Sequence, residues 1–303
     1  MTRKLLALLI AAALWVGCDT NKEKTESMNP FFEVYDTPFE VPPFDKIKNE
    51  HFAPAIRQGI VQKEKEVDAI VENPEAPTFA NTVEALEYAG ETLAKVSRVF
   101  YNLNSANTND ELQAIAKELA PEISKHSDNV SLNEKLFARV QSIWESKGNL
   151  ELTAEQHMLL DKMYKSFVRS GANLSETDKE KLREINTKLS SLTLQFGQNL
   201  LAETNAYQLW IDDKADLSGL PQELITTAAT DAKVAGKEGQ WLFTLQNPSI
   251  MPFLQYADNR ELRKDIWEAY KNRADQGNAN DNKEGLIETA NLRREKAQLL
   301  GYQ

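Results

Sequence analysis

The sequence predicts a mainly α protein, a multi-helix, bundle-like lobe with a small β-ribbon. Three observations carry that expectation. Apolar residues recur at helical spacing across residues 50–200. Only 12 Gly and 11 Pro interrupt 303 residues, so few positions carry the residues that end helices. Period-two alternation, the strand signature, is confined to residues 207–211 and 241–245.

The elements follow in order. Residues 30–43 are irregular, with Pro30, Pro38, Pro42 and Pro43 among Phe31, Phe32, Tyr35 and Phe39, and Phe44 just beyond. A bare tether does not need that many rings, so the stretch is expected to dock on the body. Phe52, Ile56, Ile60, Val67, Ile70 and Val71 mark a helix that stops before Asn73-Pro74. Asn81 and Glu84 are spaced as a capping box for a stripe running Val83, Leu86, Leu93, Val96, Phe100 and Leu103. Leu112, Ile115, Leu119 and Ile123 make the next helix, which Pro121 is expected to bend or split. Ser131 with Glu134, and Thr153 with Gln156, are two further capping boxes, and Gly148 is expected to stop the helix between them. A long helix follows Ser175 and carries Leu182, Ile185, Leu189, Leu192, Phe196 and Leu200. Beyond the first alternating stretch, Pro221 starts a helix reaching about Ala235. Asn259 caps one that runs through Ala274, and a last helix covers roughly residues 284–300.

The first residues stand apart. Arg3 and Lys4 precede an uncharged run over residues 5–16, too short for a bilayer span of about 20 residues and suited to a signal peptide. It ends in Trp15-Val16-Gly17-Cys18, which resembles the lipobox of bacterial lipoproteins. Trp15 stands where such motifs usually carry Leu. The resemblance implies lipidation at Cys18, an exported protein anchored to the cell envelope, and membrane as a partner through that anchor. The expected organisation is a signal peptide over 1–17, a polar anchor tether over 18–28, a helical N-terminal lobe over 29–204 and a mixed strand and helix region over 205–303. With a single cysteine the chain can form no internal disulfide.

Charge and motifs exclude several function classes. A formal charge of -11 argues against nucleic acid, whose phosphates require clustered cations. No G-x-S-x-G elbow, G-x-G-x-x-G loop or P-loop is present. The three histidines are His51, His126 and His157, and none precedes a glutamate, so the H-E-x-x-H zinc helix is absent. Glu122 and His126 are four apart and could share a helix face as two metal ligands. That spacing is better explained by a surface ion pair or a cap near Asp128. Acidic pairs such as Glu64/Glu66 and Glu176/Asp178 read as solvated faces. Arg293, Arg294 and Lys296 read as charge complementing a helix C-terminus. Trp210, Trp241 and Trp267 read as core.

Several blocks occur in a telling order. They are Phe44-Asp45-Lys46-Ile47 with His51-Phe52-Ala53-Pro54-Ala55, then Asn73-Pro74 with Pro77-Thr78-Phe79-Ala80-Asn81-Thr82 and Ala85-Leu86-Glu87. Ser124-Lys125-His126-Ser127-Asp128 follows, then Asn133, Leu136-Phe137 and Arg139, and Ser170-Gly171-Ala172. Arg263, Ala269-Tyr270, Arg273-Ala274 and Leu292-Arg293-Arg294-Glu295-Lys296-Ala297 with Leu299-Leu300-Gly301 close the series. Together they resemble the thimet oligopeptidase and peptidyl-dipeptidase family of zinc metallopeptidases, in particular its bacterial peptidyl-dipeptidase branch.

The resemblance covers residues 29–303 and implies the N-terminal half of a two-lobed channel peptidase acting on short peptides. In that family one zinc sits on an H-E-x-x-H helix with a further Glu downstream, and the peptidyl-dipeptidases release dipeptides from free C-termini. All of that chemistry belongs to the half with no counterpart here. The expectation is therefore a start of the peptidase domain over 205–303 truncated before the zinc motif. No catalytic and no metal-binding residue is assigned to this chain, no zinc is expected bound to it, and a monomer without activity of its own is expected. The alternative is a non-catalytic, lipid-anchored peptide-binding or interaction module.

Overall fold

The computed structural model describes residues 29–302, so the expected signal peptide, tether and Cys18 lie outside the described residues. The described chain is mainly helical, with one two-stranded antiparallel ribbon. No described helix is long and apolar enough to cross a membrane.

A strap of short turns over residues 29–51 leads into α1, Phe52–Val71. The helix starts where His51 Nδ1 accepts the Lys48 backbone N–H at 3.1 Å. A π turn, Phe79–Glu84, and α2, Ala85–Tyr88, precede α3, Glu91–Ala106. The unbroken stripe expected from Val83 onward is thus divided, because Gly90 adopts φ +86 and turns the chain between α2 and α3. Helix α1 crosses α3 closely at Gly59, where an added Cβ would lie 2.8 Å from Leu93 Cα.

Helix α4 spans Asp110–Ser131 and passes through Pro121 without splitting. The carbonyl that loses its partner there belongs to exposed Lys117, where water can satisfy it. Helices α5, Glu134–Ser146, and α6, Ala154–Arg169, form a hairpin, and α7, Glu176–Ala206, runs for 31 residues. Strand β1, Leu209–Ile211, pairs with β2, Trp241–Phe243, across α8, Gln222–Val234. Helices α9, Asn247–Tyr256, α10, Arg260–Lys271, and α11, Lys283–Leu299, complete the order.

The helix starts at Thr153, Ser175 and Asn259 carry the expected side-chain caps. Two other expected boxes shift register. The reciprocal pair at the π turn is Thr78 with Asn81, so Asn81 fills the third position rather than the cap. At α5 the cap is Asn133, which accepts from the Leu136 N–H at 2.9 Å, rather than Ser131. An Asx side chain adjacent to the first turn displaced the serine. Gly148 lies inside a short 3-10 turn, Lys147–Asn149, and α5 has already ended at Ser146. Helix α9 contains Pro248 and Pro252, which hid it from a pattern search.

Three apolar clusters hold these elements. The first joins the strap, α1, α3 and α4 through Phe31, Phe52, Ile56, Val96, Phe100 and Leu119. The Phe52 ring packs 5.3 Å from Phe31 and 5.2 Å from Phe100, each ring worth roughly 1.5–3 kcal/mol of burial. The second joins the far end of α1, the π turn, α5 and α6 around Val83, Leu136, Phe137, Val140 and Leu160. The third packs the ribbon against α8, α9 and α10 around Ile211, Phe243, Phe253 and Ile266.

Two expectations about aromatic residues are corrected. Phe31 docks the strap, yet Phe32, Phe39 and Phe44 face solvent. Trp210 and Trp241 are half-buried, whereas Trp267 is exposed and lies beneath the Lys271 ammonium, 5.0 Å from its ring. An i, i+4 cation covers that ring in place of a core.

Candidate functional site

The histidines come first, because a metal centre would need them. His51 is buried and structural: its Nδ1 takes the Lys48 N–H, and its carbonyl takes the Asn29 side-chain amide at 2.8 Å. His126, on α4, is also buried, with Nδ1 3.3 Å from Glu64 Oε1 on α1. His157, on α6, is half-buried.

Glu122 does not join His126. It accepts from Arg57 Nε at 2.9 Å and Nη2 at 2.7 Å, and Glu118 bonds the same guanidinium. The hydrogen bond from Arg57 holds the Glu122 carboxyl below the usual range. Glu122 and His126 therefore each turn to a separate partner on α1, and the surface ion pair between them does not form. Glu64 and Glu66 are likewise more than a solvated face, since Glu66 accepts the Gly90 N–H at 2.6 Å where α3 begins. Among the described residues no three His, Cys, Asp or Glu side chains converge on one point. The donor set does not fit a zinc site: one imidazole nitrogen serves a helix start, another a carboxylate, and Glu122 serves a guanidinium.

The motif blocks resolve into packing ties. Arg139, on α5, spreads its guanidinium over the 73–82 loop. Nη1 donates to Asn73 O at 3.0 Å and Glu75 O at 3.3 Å, Nη2 to Glu75 O at 3.4 Å and Asn81 Oδ1 at 3.3 Å, and Nε to Thr82 Oγ1 at 3.2 Å. A planar fork suits that set of converging acceptors. Asp128, on the face of α4 toward α7, accepts from Asn186 at 2.7 Å, and Lys296 on α11 donates to the same Asn186 at 2.6 Å. Burial pushes the Asp128 carboxyl up, opposed by the Asn186 bond. Lys296 thus ties helices together rather than only complementing a dipole. Arg273 lies 3.6 Å from the Tyr270 ring and donates to Thr204 Oγ1 on α7 at 3.0 Å.

An open groove of about 990 Å³ lies between the strap and helices α1 and α3. Its lining mixes Tyr35, Tyr88 and Val99 with Glu87, Glu91, Lys95 and Arg98, and lacks a nucleophile paired to a base.

Comparison with known proteins finds relatives over most of the chain. The dipeptidyl carboxypeptidase of Salmonella typhimurium is 38% identical over 276 residues, covering 91% of this chain and 41% of that protein. Oligopeptidase A of Escherichia coli is 32% identical over 88% of the chain and 40% of its own length. A probable cytosolic oligopeptidase A of Arabidopsis thaliana is 32% identical over 92% of the chain and 40% of its own. Over most of its length the chain resembles the dipeptidyl carboxypeptidases and oligopeptidases A. It spans about 40% of the length of these curated relatives. No family model matches it.

Proposed function

We propose that this chain supplies the N-terminal helical wall of a zinc peptidase that releases dipeptides from the C-termini of short peptides. On this reading residues 29–204 form the wall, residues 205–303 begin the peptidase domain, and the metal site belongs to sequence outside the shared span. The chain alone then neither binds stoichiometric zinc nor cleaves peptides, and it is monomeric. We further propose export and lipidation at Cys18, which would hold the protein on the cell envelope.

The observation that carries the reading is the mismatch of coverage: 91% of this chain aligns with only 41% of a dipeptidyl carboxypeptidase. The donor placement supports it, because among the described residues no three His, Cys, Asp or Glu side chains converge. The test is metal analysis of the purified chain, with a peptide assay comparing free and amidated C-termini. No zinc and no cleavage are expected from the chain alone. A chimera joining residues 29–303 to the remaining length of the Salmonella relative is expected to release dipeptides only from the free C-terminus. Dipeptide release by the chain alone would overturn the reading.

A further inference from the structure

Helix α11 is held to α7 at two places. Its start is pinned by Asn282, whose amide donates to Phe196 O at 3.0 Å and whose Oδ1 accepts from Asn199 at 2.9 Å. Beyond that point one side chain of the helix is buried, Leu292. Among the described residues its one side-chain hydrogen bond to another helix runs from Lys296 Nζ to Asn186 Oδ1, at 2.6 Å. The same Asn186 donates through Nδ2 to Asp128 Oδ1 on α4, at 2.7 Å. A carboxylate can only accept and an ammonium can only donate, so these two partners fix which way the amide faces.

The second oxygen of Asp128 decides what a proton would do. Asp128 is 5% exposed, and its Oδ2 is shut from solvent without a hydrogen-bond partner among the described residues. A hydroxyl there would be a buried donor with no acceptor, which costs more than one pointed at Asn186. A proton on the Asn186 side needs an acceptor in turn, so the amide must bring its oxygen round to Asp128. Its Nδ2 then meets the Lys296 ammonium, donor against donor, and the tie to α11 is lost.

We infer that Asp128, Asn186 and Lys296 form a proton-operated latch, which holds the later half of α11 against α7 while Asp128 is ionised and frees it when Asp128 is protonated. Docked α11 brings the Lys296 charge toward the carboxyl and lowers its pKa relative to the freed state, while Arg183 on α7 favours the carboxylate in both. The latch is therefore fully set above the freed-state pKa and is lost as pH falls through the docked one. Burial in the α4–α7 seam pushes the carboxyl up, which places the change above the ordinary aspartate value of 3.8. Other groups titrate nearby. Glu184 and Glu295 line the groove between α7 and α11 with Lys181 and Lys188, and on α4 itself His126 faces Glu64 of α1.

Hydrogen exchange of the purified full chain, read by peptide mass spectrometry from about pH 4 to 7, tests the latch. Exchange times are scaled for the intrinsic pH dependence of amides, and α8 serves as the internal reference. In the parent, protection over residues 290–299 is expected to fall about tenfold relative to α8 as pH is lowered, the loss of one charge-assisted hydrogen bond. Asp128→Asn copies the protonated acid, because its amide nitrogen faces the same choice as the hydroxyl. It should leave α11 loose at every pH although it does not touch that helix. Lys296→Met removes the tie itself and should be equally loose, again with no step. Flat protection in the parent overturns the inference. So does a step that persists in either variant, which would assign it to Glu64, Glu184 or Glu295. Protection of α11 in either variant equal to that of the parent at high pH overturns it as well.

Discussion

Replacing Arg139 tests whether the 73–82 loop is held by a guanidinium fork. Arg139→Ala removes the donors that reach Asn73 O, Glu75 O, Asn81 Oδ1 and Thr82 Oγ1. The contacts are long, from 3.0 to 3.4 Å, and the two loop carbonyls can recruit water, so each is worth little alone. Thr82 is fully buried and retains only its bond to Asn81, which makes its loss of the arginine the costlier one. The sum expected is about 2–3 kcal/mol. With a urea slope of about 2–3 kcal/mol/M, the midpoint falls by about 1 M. Arg139→Lys keeps the charge but cannot span the acceptors and should lose at least half as much. Hydrogen exchange at the Asn81 amide, which donates to Thr78 Oγ1 at 3.1 Å, should accelerate in both variants. A lysine variant as stable as the parent, or an alanine variant with an unmoved midpoint, would refute the argument.

Further outcomes follow from other sites. Gly59→Ala places a methyl 2.8 Å from Leu93 Cα and should cost about 1–3 kcal/mol in thermal or urea unfolding by forcing α1 from α3. Asp128 carries a carboxyl whose pKa burial raises, so the folded state binds more protons than the unfolded one above the ordinary aspartate value of 3.8. Its contribution to stability therefore falls as pH rises through that window. Asp128→Asn should gain on the parent as pH rises above the ordinary aspartate value, and converge with it at lower pH, in urea midpoints taken across a pH series. A difference independent of pH would contradict this. Cys18→Ser should move the protein from the membrane fraction to the soluble fraction, and retention in membranes would remove the anchor.

Much of the fold was legible because helix signals are local. Thr153, Ser175 and Asn259 announce their helices through caps that need only the next three residues. The misses have equally physical causes. Gly90 breaks a stripe whose apolar spacing runs on regardless, and α9 forms around two prolines because one sits in its first turn. At the candidate site the limit is separation along the chain. Arg57 and Glu122 lie 65 residues apart, and Lys296 reaches Asn186 across 110. No spacing rule connects such pairs, so Glu122 and His126 looked like possible partners on α4 when each faces a different residue of α1. The family blocks were visible as an ordered series, while the work of Arg139 and Arg273 emerges only when the loops they hold are seen together.

The division of the apolar interior into three clusters has an optical consequence. Trp144 stacks on Tyr164 within the second cluster, and Trp241 packs against the third, whereas the first, built on Phe52 and Phe100, contains no indole. Emission from the described tryptophans during denaturation would thus follow the hairpin and the ribbon and stay dark to loosening where the strap meets α1 and α3. Among the described residues, melting of that region would register through phenylalanine and tyrosine or through a reporter placed there on purpose.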